Sequence, residues 1–441
     1  MKQSRYNFFF PVDNGKFLAF NALKNGLALV DEAVIRQIET VKPGKPLALN
    51  ENLSIELKRG GFIIEDDFDE FGLISVRKHM QQYSPNHLSL TVAPTLDCNL
   101  RCRYCYETPR GTIMSTDVSQ ELVKFIKGHI DSGIKRLNTC WYGGEPLLAF
   151  DIIEQISAEI MSLCEKKEVK YSSAIITNGT LLDHEKALKL KASRVGFAQV
   201  TIDGPKEIHD RRRPYISGQG SFDDIVKGIR QAAGIIPIAL RINIDSSNLE
   251  QAGRIVDEFK REEWFTENLK KGLVSIYYGH VRQYTPACRC DKEEVLKDGD
   301  FWPKEMELRR HLKRLGLQAE RYPDIVSGCT ATSFHSFVLD PEGNLYKCWN
   351  HLGIPGKSVG SIFKPIELNA LHIAYLSEGF ERDGECLDCR FLPICMGGCV
   401  DIRVKAKQGE FKGKNCSQWK YYLEECLRDV YVSSISRSQA S

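Results

Sequence analysis

Three cysteines within eight residues are the strongest chemical signal in this sequence. Cys98, Cys102 and Cys105 lie in the run DCNLRCRYCYE, directly after an apolar, strand-like segment, LSLTVAPT. Thiolates are the usual ligands of iron–sulfur clusters, and three of them can hold a four-iron cluster while leaving one iron without a protein ligand. A small molecule can chelate such an iron. Zinc is the alternative, but a structural zinc ion takes four protein ligands, and this run offers no fourth cysteine or histidine.

The spacing Cys-x3-Cys-x2-Cys, with the aromatic Tyr104 before the last cysteine, resembles the motif of the radical S-adenosylmethionine (radical SAM) enzymes. This resemblance implies a [4Fe–4S] cluster on the three cysteines, whose open iron binds the amino and carboxylate groups of S-adenosyl-L-methionine. One-electron reduction would then release a 5′-deoxyadenosyl radical. Tyr104 is expected to cover the cluster or the adenine, although an aromatic residue here is also compatible with simple packing.

Four later segments resemble the cofactor-binding positions of that family. In the GGEP run the glycines let a ligand approach the backbone, and the glutamate can accept a hydrogen bond from the methionine amine. TNG and TIDG end two further strand-like runs, and Arg213 matches an arginine that pairs with the methionine carboxylate, a bidentate geometry suited to guanidinium. Arg211 and Arg212 are predicted to be surface charges. The expected contacts to S-adenosylmethionine are Tyr104, Gly143, Gly144, Glu145, Asn178, Thr201, Asp203, Arg213 and Asn243.

A second group of cysteines near the C-terminus resembles the SPASM domain of peptide- and sulfatase-modifying enzymes. The resemblance implies two auxiliary [4Fe–4S] clusters, which makes three clusters in all; structural zinc is the alternative. The first auxiliary cluster would have either an open iron, able to bind a substrate thiolate and lower its pKa, or a fourth ligand in Cys288 or Cys290. The expected ligands are Cys329, Cys348 and Cys399 for this cluster, and Cys386, Cys389, Cys395 and Cys416 for the other.

The segment from about residue 88 to 285, predicted as the radical SAM core, alternates strand-like and helical runs. Six strand-like runs, from LSLTVAPT to LVSIYYG, are separated by helical stretches, which indicates a parallel sheet with right-handed crossovers. Six units are too few for a closed eight-stranded barrel. The predicted fold is therefore α/β, with the open, TIM-like (β/α)6 barrel that the resemblance implies. Ligands of such barrels bind at the carboxyl ends of the strands, where the motifs above lie.

The remaining segments suggest smaller units. Residues 1–82 combine a hairpin around Asp13-Asn14-Gly15 with short helices and are predicted to form a winged-helix-like unit. This unit either recognises a precursor peptide, as in several peptide-modifying radical SAM enzymes, or only packs on the barrel. Residues 286–325 are predicted to be a mostly helical bridge, 326–426 the SPASM domain, and 433–441 a disordered Ser-rich tail.

Composition restricts the partners and the compartment. A net charge of +2 gives no electrostatic argument for a polyanion, so no nucleic-acid partner is expected. No apolar run approaches the roughly 20 residues needed to span a membrane, and no secretory signal pattern is present. The chain is therefore predicted to be cytoplasmic. In that compartment its 15 cysteines favour metal or redox chemistry over disulfides.

These resemblances predict a radical SAM/SPASM maturase that installs a cross-link in a ribosomally synthesised precursor peptide. A thioether is the first expectation, and a carbon–carbon or carbon–oxygen link comes next. A low-potential donor, flavodoxin or ferredoxin, would supply electrons. The nearest alternative is oxidation of Cys or Ser to formylglycine in a sulfatase, which is disfavoured because Trp349 stands where those maturases carry an aspartate. A non-catalytic zinc-binding scaffold is the alternative of another class.

Overall fold

The structure is a computed structural model that describes residues 1–12, 15–45, 49–317, 321–323, 329–411 and 416–440. The chain divides into two compact units. The first comprises Met1–Tyr83, Glu320–Cys329 and Tyr375–Ser441, and the second comprises Ser84–Ala319 and Thr330–Ala374.

Strands and helices are numbered along the chain. The strands are β1 Lys2–Gln3, β2 Asn7–Pro11, β3 Lys16–Asn21, β4 Gly26–Asp31, β5 Ile63–Ile64, β6 His87–Val92, β7 Arg136–Trp141, β8 Lys170–Thr177, β9 Val195–Thr201, β10 Ile238–Ile244, β11 Val274–His280, β12 Ser336–Leu339, β13 Asn344–Tyr346 and β14 Gly360–Ser361. The helices are α1 Glu32–Thr40, α2 Glu51–Gly60, α3 Glu70–Gln82, α4 Thr116–Asp131, α5 Phe150–Lys166, α6 His184–Ala192, α7 Lys206–Arg212, α8 Phe222–Ala232, α9 Arg254–Phe259, α10 Glu263–Lys270, α11 Asp298–Arg314, α12 Ala370–Ser377, α13 Gly384–Leu387, α14 Leu392–Cys395, α15 Val400–Lys407 and α16 Trp419–Ala440.

The second unit is built on a nine-stranded sheet in the order β11-β10-β9-β8-β7-β6-β12-β13-β14. Strands β6 to β11 are the six predicted runs, and each pairs in parallel with the next along the chain. On the other side β12 pairs in parallel with β6, and β13 and β14 follow it antiparallel. Within the described residues β11 and β14 are the two ends of this order, so the sheet is an open, partial TIM-like barrel. The predicted α/β fold class is confirmed.

Helices cover the sheet because their apolar positions recur at helical spacing. Leu122 and Ile126 of α4, and Ile153 and Ile156 of α5, are fully buried against the strands. Burying each of these side chains contributes about 1.5–3 kcal/mol. The packed helices fix the strands, and the strands in turn carry the polar residues at their carboxyl ends.

The first unit contains a three-stranded antiparallel sheet, β2-β3-β4, and a short pair, β1-β5. Strands β2 and β3 form the predicted hairpin, although Asp13 and Asn14 of its turn lie outside the described residues. The N-terminal segment is not a body of its own. The ring of Phe8 on β2 lies 4.8 Å from that of Phe391, and Lys78 on α3 pairs with Glu381 at 2.7 Å, so both elements contact the C-terminal part of the same unit.

Three predicted segments also differ from the structure. The stretch 330–374, predicted as part of the SPASM domain, belongs to the barrel unit because β12 extends the sheet beside β6. The predicted bridge contains α11, whose Phe301 and Leu312 are buried in the barrel core. Residues 433–440, predicted to be disordered, continue α16, where the Ser433 and Ser434 hydroxyls donate to the helix carbonyls of Asp429 and Tyr431.

Among the described helices, none combines the length and the apolar composition needed to span a bilayer.

Candidate active site

A pocket of about 580 Å³ lies at the carboxyl ends of the parallel strands, within the barrel unit. Cys98, Cys102 and Cys105 line it together. Two predicted contacts, Glu145 and Asp203, are absent from its wall and are fully buried. The predicted contacts that do line it are Tyr104, Gly143, Gly144, Asn178, Thr201, Arg213 and Asn243.

The cysteine loop is held by hydrogen bonds from both sides. Two of its amides donate to carbonyls at the end of α7 and just after it: Arg103 to Arg212 at 3.0 Å and Arg101 to Pro214 at 2.8 Å. The Cys98 sulfur accepts from the Leu100 amide at 3.5 Å. The loop therefore presents three thiols to one pocket.

Burial raises the pKa of all three thiols, to about 12 for Cys98. Desolvation is the largest cause, because a thiolate in an apolar wall loses its hydration. Cluster iron needs thiolates and supplies the positive charge that stabilises them. The donor set therefore fits a three-cysteine [4Fe–4S] cluster.

Arg213 provides a second test of the fit. It is 5% exposed, its Nη1 donates to the Tyr104 hydroxyl at 2.7 Å, and its buried Nε has no hydrogen-bond partner in the described part of the chain. An orphaned buried guanidinium donor is costly unless a ligand accepts from it. Asn243 Nδ2 lies 3.1 Å from the same Tyr104 hydroxyl. These residues suit the carboxylate of S-adenosylmethionine.

The two pocket glycines are required first by the protein itself. A Cβ on Gly144 would lie 2.1 Å from the carbonyl oxygen of Asp97, and one on Gly143, whose φ is +105°, would lie 2.4 Å from that of Thr95. The amide of Glu145 donates to the Asp97 carbonyl at 2.8 Å. The glycines thus let the β7 end approach the cysteine loop, in addition to the ligand approach predicted for them.

The carboxylate of Glu145 joins neighbouring strand ends. It accepts from the amide of Leu147 at 3.0 Å, the hydroxyl of Thr177 at 2.7 Å and the amide of Asn178 at 2.7 Å. Burial raises the pKa of this carboxyl, and the three donors oppose that rise. Its observed role is to hold the end of β8 beside the GGEP turn, and a contact to the methionine amine remains a prediction.

Arg212, predicted to be a surface charge, is instead buried beneath the pocket. Its Nε lies 3.2 Å from Asp203, and its Nη1 lies 2.7 Å from both carboxylate oxygens of Asp245. Its guanidinium carbon lies 5.1 Å from the centre of the Tyr104 ring. Asp203 is thus engaged with Arg212 and with the Asn243 amide at 3.1 Å, not exposed to the pocket.

The position of Arg212 was detectable in the sequence. In α7 the buried residues are Ile208, His209 and Arg212, which share one helix face, whereas Arg211 is exposed. The apolar Ile208 marks that face as inward, and a residue four positions later lies above it.

The outer wall of the pocket is aromatic and was not predicted. The Tyr142 ring lies 4.7 Å from that of Trp349, its hydroxyl bonds that of Tyr106, and the Tyr106 ring lies 5.8 Å from that of Tyr284. Burial raises the pKa of Glu107, beside Tyr142, to about 7. The sequence signal for this wall is the run YCYE at the end of the cysteine motif, which places aromatic side chains and a carboxyl on the cysteine loop.

Cys288 and Cys290 form a disulfide, although the sequence favours metal or redox chemistry over disulfides for the cysteines as a whole. Their Cα atoms are 5.6 Å apart, within the range that a disulfide bridges. Both are buried and pack with Val281 against Tyr104. The fourth position of the first auxiliary cluster, either open or filled by Cys288 or Cys290, remains a prediction.

The C-terminal cysteines lie on short elements of the first unit, apart from Cys348, which follows β13 in the second. Burial raises the pKa of Cys395, and the charges of Cys416 and Cys389 add to that rise. Burial also raises the pKa of Cys399, and the charge of Cys329 adds to that rise. The ligand sets of the two auxiliary clusters remain predictions.

Comparison with known proteins gives one family match. Residues 92–259 match the family model described as the Radical SAM superfamily. The chain is also 23% identical, over 76% of its length and 95% of the relative's, to a cysteine-type anaerobic sulfatase-maturating enzyme of Clostridium perfringens (strain 13 / Type A).

Two solved structures share the fold. Native anSMEcpe with bound AdoMet matches with a TM-score of 0.59 at 21% identity, covering 77% of this chain and 98% of that one. Streptococcus suis SuiB bound to the precursor peptide SuiA matches with a TM-score of 0.53 at 16% identity, covering 91% and 96%. At these identities the likeness establishes the architecture around the pocket.

Proposed function

We propose that this chain, an enzyme whose residues 92–259 form a radical SAM domain, modifies a ribosomally synthesised peptide. The observation that carries the proposal is the pocket itself, in which three thiols, the orphaned Arg213 donor and an aromatic outer wall share one cavity. With a [4Fe–4S] cluster and S-adenosylmethionine bound, reductive cleavage would supply a 5′-deoxyadenosyl radical that removes a hydrogen atom from the peptide.

The residues of the chain divide the remaining work. Cys98, Cys102 and Cys105 would hold the cluster, and Arg213 with Tyr104 would orient the methionine carboxylate. The aromatic side chains of the outer wall exclude water from the reaction space, which protects a reactive carbon centre from side reactions. The rest of the cavity accommodates a peptide side chain.

The peptide is proposed from the comparisons. The relative is named for sulfatase maturation, and the SuiB structure contains a precursor peptide. We expect the product to be a cross-link, a thioether first and a carbon–carbon or carbon–oxygen link next. Two auxiliary [4Fe–4S] clusters on the C-terminal cysteines would accept the second electron, and flavodoxin or ferredoxin would deliver the first. Residues 1–82 are a candidate element for binding the precursor.

A second candidate is the oxidation of Cys or Ser to formylglycine, which the similarity to the Clostridium enzyme favours. Against it stands Trp349, which follows Cys348, lines the pocket and packs on Tyr142. An indole cannot accept a proton as a carboxylate can. The cross-link is therefore placed first.

Anaerobic reconstitution and mass analysis test both candidates. The reduced holoenzyme should release 5′-deoxyadenosine from S-adenosylmethionine, and its Cys98→Ala variant should not. With a precursor peptide from a neighbouring reading frame, a loss of two hydrogens identifies a cross-link, whereas loss of sulfur from a sulfatase-derived cysteine peptide identifies formylglycine. A colourless protein that binds zinc and releases no 5′-deoxyadenosine would refute the proposal.

A further inference from the structure

Among the described residues that line the pocket are five arginines and a single carboxylate, that of Glu107. Most of these cations are already engaged or point outward. Arg282 pairs with Asp298, Arg213 is assigned to the methionine carboxylate, and Arg101 donates to the carbonyl oxygens of its own loop. Arg289 is exposed on the rim. Arg241 is the remaining cation of the interior.

Arg241 lies in the middle of the barrel wall on β10, in register with Thr201 of β9 and Tyr277 of β11. Its Nε donates to the Asn243 side-chain oxygen at 2.7 Å, and its guanidinium carbon lies 5.7 Å from the centre of the Tyr277 ring. Tyr277 is fixed in turn by a hydrogen bond from its hydroxyl to Gln199. The guanidinium is therefore held in one place by three neighbouring strands.

The chain makes room for this side chain. Gly279 stands beside it on β11, and a Cβ there would lie 2.7 Å from Arg241 Nε and 2.8 Å from Nη2. No carboxylate of the described residues pairs with Arg241, and the groups that act on its charge are tyrosines. A half-buried, positioned guanidinium without a carboxylate is a binding site for one, because a fork of N–H donors matches two oxygens.

The site is continuous with the S-adenosylmethionine residues but distinct from them. Asn243 accepts from Arg241 and donates to the Tyr104 hydroxyl, which also accepts from Arg213. The guanidinium groups of Arg213 and Arg241 are thus both linked to the Tyr104 hydroxyl, the first directly and the second through Asn243. The methionine carboxylate needs only one of them, so the other is available to a second molecule in the same cavity.

We propose that Arg241 binds a carboxylate of the peptide, and that this enzyme acts on a peptide presenting an acidic side chain or its free carboxyl terminus to the pocket. The inference rests on the proposed function and adds the substrate class. Binding through charge-assisted hydrogen bonds should favour such a peptide over its neutral counterpart by roughly tenfold.

The test uses the reconstituted full chain with S-adenosylmethionine, immobilised under anaerobic conditions. The probes are three libraries of seven-residue peptides with Glu, Gln or Lys at the centre and uncharged residues elsewhere, each made with a carboxyl or an amide terminus. Mass spectrometry measures retention. We expect the Glu library, or every library with a free carboxyl terminus, to be retained roughly tenfold better than the neutral amides, and the pattern identifies which carboxylate is bound.

Variants separate the guanidinium from general charge. Arg241→Gln should abolish the preference. Gly279→Ala keeps the charge but displaces it, and should reduce the preference by roughly threefold or more. Arg136→Gln removes an exposed arginine at the opposite end of β7 and should retain the preference.

Three results would overturn the inference: equal retention of all libraries by the wild type, a preference for the Lys library, or loss of S-adenosylmethionine binding in Arg241→Gln. The last would mean that Arg241 serves the cofactor. In each case 5′-deoxyadenosine release by the wild type reports separately on the proposed function.

Discussion

Replacing Arg212 by Met should destabilise the barrel unit far more than replacing its neighbour Arg211. Arg212 is 4% exposed and contacts two carboxylates, those of Asp203 and Asp245, which are themselves buried. Each charge pair contributes about 4 kcal/mol of attraction at an effective dielectric constant near 20. Burial offsets much of this attraction, but removing one partner leaves the others uncompensated, at a cost of about 3–5 kcal/mol.

The melting temperature is the suitable measurement, because a chain with two compact units does not in general unfold in two states. For a unit of this size 1 kcal/mol corresponds to about 2–4 °C, so Arg212→Met should lower the transition by about 6–20 °C. Arg211→Met, on the exposed face of the same helix, should change it by less than about 2 °C.

A third variant tests the cause. Combining Arg212→Met with Asp245→Asn removes one of the stranded charges and should recover part of the loss, since residues of one ion network are not additive. Two results would show that the buried ion network does not stabilise the barrel unit. In the first, Arg212→Met and Arg211→Met have the same melting temperature. In the second, the double variant loses more stability than the two single variants together.

Three further outcomes are expected. Gly144→Ala should reduce 5′-deoxyadenosine release at least tenfold, because its Cβ would lie 2.1 Å from the Asp97 carbonyl and displace the cysteine loop. Gly128→Ala on α4, with open space at its Cβ, is the activity control. The triple replacement of Cys98, Cys102 and Cys105 by Ala should lower the iron content by about four atoms per chain and abolish cleavage of S-adenosylmethionine. Cys386→Ala should also lower the iron content but spare cleavage, and a wild-type iron content in either variant would contradict the assignment. His372 is fully buried between Phe334 and Phe337, and burial lowers its pKa to about 4. Its stabilising contribution is therefore complete above pH ~6.5 and is lost as the pH falls towards 4. His372→Leu should reduce the fall of the melting temperature between these pH values, and an unchanged fall would refute the assignment.

Local chemistry explains what the sequence could reveal. Three thiols that bind one cluster must lie close along the chain or be brought together at strand ends. Cys98, Cys102 and Cys105 lie close along the chain, so their proximity is visible in the sequence. The strand pattern of IALRINI even places Arg241 and Asn243 on one face, since side chains alternate along a strand. The residues on β9 and β11 that lie beside Arg241 come from other segments of the chain. The proposed role of Arg241 can therefore be inferred only from the assembled sheet.

Other features depend on contacts that no local pattern encodes. The helix face of Ile208 marks Arg212 as inward, but its carboxylate partners, Asp203 and Asp245, follow separate strands and are not encoded beside it. The association of residues 1–82 with the C-terminal segment, through Phe8 and Phe391, likewise joins distant parts of the chain. Such pairings have the largest sequence separations and the weakest local signal.

The pairing of β6 with β12 also bears on how the enzyme is made. The strand that leads to Cys98 hydrogen-bonds a strand whose residues follow it by more than half the length of the chain, Ser89 with Ser336. During synthesis the ribosome releases the cysteine loop long before that edge is covered, and closing so long a loop is slow. The iron–sulfur assembly machinery should therefore encounter an incomplete barrel on the nascent chain. The cysteine loop should reach its final surroundings only after β12 has emerged.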